Sequence, residues 1–227
     1  MPTRLAAGAA ILGAIGQIAA TALEPNLPTN SPANAMTLIN NNSTWAIDRL
    51  VDFLSLLLVA LALATYVRTL PARGRPWAAL SQLFLAGFTT LGSTAILVGA
   101  TRGTVASAWE AASPERRVAF EAVYTATDEA MSALSFGAFL MIAIYLTLLA
   151  AAVVLGRAYS RWFSSLLIGS AACLLIGDFA ILVNDAAFIL VLVGLGLFDV
   201  ILLVLGVHLW RLPRSIGETA AVPVPLS

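Results

Sequence analysis

The chain has 227 residues, 60% of them hydrophobic and 11% charged, with a mean hydropathy of +0.93, whereas a soluble domain carries about 25% charge, so this is a composition for lipid. Twelve arginines balance twelve acids and there is no lysine, which excludes a net field directed at nucleic acid or at an acidic substrate. One cysteine, Cys173, and one histidine, His208, exclude an intramolecular disulfide and the usual zinc and haem ligand sets.

Apolar runs long enough to cross roughly 30 Å of hydrocarbon as helix occur at 5–23, 45–68, 77–99, 130–156, 162–183 and 187–210. They predict an all-α, polytopic transmembrane helix bundle of six spans, a single domain over residues 1–212, with a tail of no fixed structure over 213–227. Arg4, then Arg68, Arg73 and Arg75, then Arg157 and Arg161, then Arg211 and Arg214 fall on one side of this count. The other side has Glu24, the mixed segment from Arg102 to Glu121, and Asp185. The positive-inside rule then places both termini and the tail in the cytoplasm of a multi-pass cell-membrane protein. Indoles favour the headgroup level, which assigns Trp45 and Trp109 to the outer boundary and Trp77, Trp162 and Trp210 to the inner one. His208, one turn from the last span end, reads as an interfacial residue.

In the first run Gly8, Gly13 and Gly16 suit close helix packing in a retained span, although Arg4 and the small residues Ala19 to Ala22 also admit a cleaved signal peptide. The proline- and asparagine-rich segment from Glu24 to Thr44 contains Ser31-Pro32, a helix start. A short helix is expected there, with Met36 and Ile39 laid on the membrane surface. Ser113-Pro114-Glu115 repeats the start signal, and nothing breaks the helix from Pro114 to Gly156. At about 1.5 Å per residue this run is more than twice the hydrocarbon thickness. It must project outward, bend, or begin as a separate surface helix. Gly169, Cys173 and Gly177, spaced by four, read as a packing seam.

Acids inside a bilayer helix are costly and normally face a bundle interior or a water-filled cavity. Asp48 and Asp52 are one turn apart in the second span, Asp128 and Glu129 open the fourth, and Asp178 lies near the outer end of the fifth. Their matching depths predict convergence in the outer half of the membrane. Glu121, Thr125, Asp128, Ser132 and Ser135 recur at three and four and share one helix face. Ser55 continues the Asp48–Asp52 face, and Gln82, Thr89 and Ser93 follow similar spacing in the third span. Joined, these faces are expected to line a polar cavity open to the outside. A structural alternative is that Asp48 and Asp52 serve to pair Arg49 or Arg102. Asp199, near mid-membrane in the sixth span with no base on its own helix, is protonated, hydrogen-bonded across to a neighbour, or a proton relay.

The sequence Ser43-Thr44-Trp45-Ala46-Ile47-Asp48, the turn Arg73-Gly74-Arg75, the long fourth span, and Arg157 to Trp162 followed by Gly169 and Ile176-Gly177-Asp178 together resemble a bacterial family of six-span proteins classed only as a domain of unknown function. Such proteins carry a histidine after the acid of the fourth helix, where this chain has Glu129 after Asp128. The resemblance implies the six-span layout and supplies no activity and no residue roles.

The expected function is the binding or transport of a small cationic or amphipathic ligand in an outward cavity lined by Asp48, Asp52, Asp128 and Asp178, with Asp199 below it relaying protons. The enzyme alternative is a cyclase or isomerase of a lipophilic, terpenoid-like substrate, one carboxylic acid donating a proton and a second carboxylate stabilising the cation. That alternative rests on a chemical similarity to small membrane terpene cyclases, and no catalytic residue is assigned. An accessory membrane partner is the third reading. No Walker loop, dinucleotide fingerprint or nucleophile elbow is present, and no metal, cofactor or nucleic acid is expected.

Overall fold

A computed structural model describes residues 3–25, 27–28, 31–157, 159 and 161–212, so the tail expected over 213–227 lies outside the described residues. Seven α-helices follow one another: α1 (Thr3–Leu23), α2 (Pro32–Asn41), α3 (Trp45–Val67), α4 (Arg75–Glu110), α5 (Pro114–Gly156), α6 (Arg161–Ile181) and α7 (Phe188–Arg211), with a short 3-10 turn at Asp185–Ala187 before the last. Six of them, all but α2, are long and apolar enough to cross a membrane. The chain is a multi-pass integral membrane protein.

The six long helices pack in a closed ring, in the order α1, α3, α4, α5, α6, α7 and back to α1. Leucine, valine and alanine fill its middle, with Tyr66, Tyr145, Phe163 and Phe198 among the fully buried side chains. Lipid does not drive helices together hydrophobically, so close backbone approach carries much of the packing. Glycines supply it here. A Cβ at Gly13 would come within 3.2 Å of the Val59 amide on α3. One at Gly177 would come within 2.8 Å of the Val191 amide on α7, and one at Gly206 would meet Ile11 of α1. The expected seam on α6 is therefore an α6–α7 contact, with Gly169 against Leu197. In the first run the expectation holds for Gly13 and for Gly16, which faces Ser55, but nothing lies within 4 Å of a Cβ at Gly8.

α4 and α5 have 36 and 43 residues, about 54 and 64 Å of helix, and α5 runs unbroken from Pro114. The pair therefore projects well beyond the hydrocarbon as one antiparallel hairpin. α4 likewise continues past the apolar run that ends at 99. At the tip the Ser113 hydroxyl bonds to the Glu115 carboxylate and holds it below the usual carboxylate range.

The short helix expected after Ser31 is present, with the Ser31 hydroxyl accepting from the Asn34 amide at 3.4 Å. Its apolar side does not lie on the membrane surface. Met36 and Ile39 are buried with Trp45, Ala106 and Tyr124, because the projecting ends of α4 and α5 offer apolar surface above the bilayer. Asn40 also bonds to Glu110 of α4.

Candidate functional site

Beneath α2, the first turn of α3 meets α4 and α5 around one indole. Trp45 opens α3 and, at 5% exposure, is a buried residue. Trp109 is partly buried against the same cluster, and at the far end Trp77, Trp162 and Trp210 are exposed. Two guanidiniums lie over the Trp45 ring, Arg49 at 4.9 Å and Arg102 at 5.8 Å. Gly103 permits this approach, since a Cβ there would press on the indole at 2.8 Å.

Both arginines are buried, Arg49 to 7% and Arg102 to 3% exposure. Charges at such depth are tolerated only with close partners. Arg49 donates to Asp48 at 2.7 Å and pairs with Glu24, at the end of α1, at 2.9 Å. Arg102 donates to the Tyr124 hydroxyl at 2.6 Å, pairs with Asp128 at 3.3 Å, and reaches the Met131 sulfur at 3.3 Å. A charge-assisted bond of this kind is stronger than a neutral one, and the Tyr124 ring adds a cation–π contact at 5.0 Å. Four helices, α1, α3, α4 and α5, thus contribute charge to one locus.

Asp52 lies one turn beyond Asp48. It is half-buried and within electrostatic reach of Arg49, Glu24 and Asp48. It makes no hydrogen bond or ion pair among the described residues. The locus therefore holds four carboxylates, Glu24, Asp48, Asp52 and Asp128, against two guanidiniums. Glu24 and Asp128 remain over a third exposed, so solvent reaches the group at these two carboxylates.

Of the four aspartates expected to converge, Asp48, Asp52 and Asp128 belong to this locus, the first two through Arg49 and the third through Arg102. Asp178 is buried to 3% exposure on α6, has one carboxyl oxygen without a partner, and bonds to none of them. Asp199 on α7 is half-buried, again with one oxygen unpartnered. Contacts of Gly206 with Ala7 and Ile11, and of Arg4 with Trp210, set the α1–α7 register. That register carries Asp199 to the level of Ala14–Ile18. On α5, Thr125 and Ser132 are exposed while Asp128 turns to Arg102. The other polar residues follow the same trend: Ser55 bonds back to the Val51 carbonyl, and Gln82 and Thr89 line a separate groove between α3 and α4.

Tyr124, Glu24 and the central place of Trp45 were not anticipated as site features. Tyr124 had a signal: it precedes Asp128 by four and Met131 by seven, one stripe along α5. Glu24 had none, because the turn from α1 to α2 lies between it and Arg49 in sequence. Among the described residues no three or more of histidine, cysteine, aspartate and glutamate form a metal-binding group. Compared with known proteins, the chain matches no family model, no curated protein and no solved structure.

Proposed function

We propose that this protein binds a small cationic or amphipathic molecule at the carboxylate locus beneath α2, with both termini in the cytoplasm and the locus facing outward. The observation that carries the reading is Asp52, a half-buried acid beside a charge group already over-supplied with carboxylates and lacking any partner of its own. Arg49 and Arg102 are each committed to acids at 2.7–3.3 Å, so a ligand's positive group meets net negative charge there. A site of low dielectric strengthens that attraction relative to water. Asp199 lies about mid-way along α7, the depth at which a protonatable acid lining a transport path would be expected.

The test is equilibrium binding of the lipophilic cation tetraphenylphosphonium to the protein in nanodiscs. Asp52→Asn should weaken binding at least about tenfold, which corresponds to about 1.4 kcal/mol, while the matched anion tetraphenylborate should show no dependence on this residue. Equal affinity of wild type and Asp52→Asn for the cation would overturn the reading.

A further inference from the structure

On the lateral surface between α3 and α4 there is a cleft of about 660 Å³, lined on α3 by Trp45, Arg49, Leu50 and Phe53 and on α4 by residues from Ile96 to Ser107. None of the four aspartates lines it. Its volume falls within the roughly 300–1,000 Å³ range of small-molecule sites. The two ends differ in chemistry. Leu50, Phe53, Ile96 and Leu97 make the deeper part apolar, while Trp45, Arg49, Thr104 and Ser107 stand at the end nearer α2.

At that polar end two donors are unused. Trp45 Nε1 and Arg49 Nε are both buried and have no hydrogen-bond partner among the described residues. The edge of the indole bearing Nε1 faces Gly103, itself part of the cleft wall. A buried donor left unmade costs about 1–3 kcal/mol, so two together favour an occupant that brings an oxygen acceptor. A neighbouring helix is a poor candidate, since within a bilayer its carbonyls are spent on its own amides.

We infer that the cleft is a glycerophospholipid site, with one acyl chain against Leu50, Phe53, Ile96 and Leu97 and an ester or phosphate oxygen accepting from Trp45 Nε1 and Arg49 Nε. Leu50 and Leu97 are more than half exposed on the outer surface of the bundle, so the chain enters sideways from the leaflet on the α2 side. Trp45 then has two roles on its two aspects. Its ring face carries the guanidiniums, and its N–H edge holds the lipid. Arg49 and Trp45 are shared with the carboxylate locus, but no carboxylate lines the cleft, so lipid binding there and cation binding at Asp52 are measured separately.

Native mass spectrometry of delipidated protein titrated with dioleoylphosphatidylglycerol tests the site. Ala100→Phe and Thr104→Phe place a ring in the cleft, the second at an exposed rim position where no core side chain is displaced. Both should weaken the first lipid-binding event at least tenfold. Leu83→Phe, at an exposed position of α4 away from the cleft, should match wild type. If Thr104→Phe and Leu83→Phe both bind the first lipid with wild-type affinity, the lipid is merely annular and the inference fails.

Discussion

Arg102 and Asp128 form one ion pair, yet their environments are unequal, and the two ends should answer differently to mutation. Arg102 is almost wholly enclosed and also serves Tyr124 and Met131, whereas the Asp128 side chain is 36% exposed. Removing Arg102 takes away a buried cation that joins α4 to α5 and leaves the Tyr124 hydroxyl without its partner. Arg102→Ala should therefore destabilise by about 3 kcal/mol, the scale of a broken buried pair. Asp128→Asn keeps an oxygen acceptor beside Arg102 and its bond to Tyr124 but takes away the carboxylate paired with a buried guanidinium, so it should cost about 2 kcal/mol, less than the loss of Arg102 itself. Chemical denaturation in detergent, followed by tryptophan fluorescence, measures both. Equal losses would mean that Asp128 carries the energy of the cluster. The sequence disclosed the acids through their cost in a bilayer, and pairing with Arg49 or Arg102 was among the readings it allowed. It did not disclose which acid meets which arginine, because that depends on α4 and α5 running far enough past the membrane for residues 102 and 128 to face each other.

Element boundaries were legible to the extent that a single physical signal set them. Apolar runs located all six spanning helices, and Ser-Pro pairs located the starts of α2 and α5. The extension of α4 to Glu110 was not visible in hydropathy, since its last turns are polar enough to pass for a loop and become helix by packing against α5. The same tertiary surface drew α2 off the membrane. Helix contacts were legible only where small residues allowed close approach, and two glycines on neighbouring helices test that logic. A side chain at Gly177 would strike the Val191 backbone at 2.8 Å, while nothing lies within 4 Å of a Cβ at Gly196. Gly177→Leu should lower stability by about 1–3 kcal/mol through overpacking, and Gly196→Leu should be neutral or gain up to about 1 kcal/mol from helix propensity. Thermal unfolding of the two variants in one detergent gives the comparison. Loss of stability in both, to the same degree, would show that the face of α7 bearing Gly196 is also an interface.

At the scale of the whole molecule the charge distribution makes the orientation testable. Among the described residues, Arg4, Arg68, Arg73, Arg75, Arg157, Arg161 and Arg211 all gather at the end where Gly74 meets Ala152, and none is paired with an acid. At the opposite end Arg49 and Arg102 are neutralised by Glu24, Asp48 and Asp128, and Arg117 donates to the Glu110 carbonyl. The positive-inside rule counts short-loop arginines near span ends, and the seven at the first end against Arg49, Arg102, Arg116 and Arg117 at the other set the expected orientation. Gly74 itself cannot report on this end, because a side chain there would press on the Ala152 carbonyl. Arg73, exposed in the same turn, and Ser113, exposed at the hairpin tip, are the suitable positions. With Cys173 replaced by alanine, Ser113→Cys should react with an impermeant maleimide in intact cells. Arg73→Cys should react only after the membrane is opened. The reverse pattern would invert the molecule and turn the carboxylate locus toward the cytoplasm, so that cation binding there, if found, would act on a ligand supplied from within the cell.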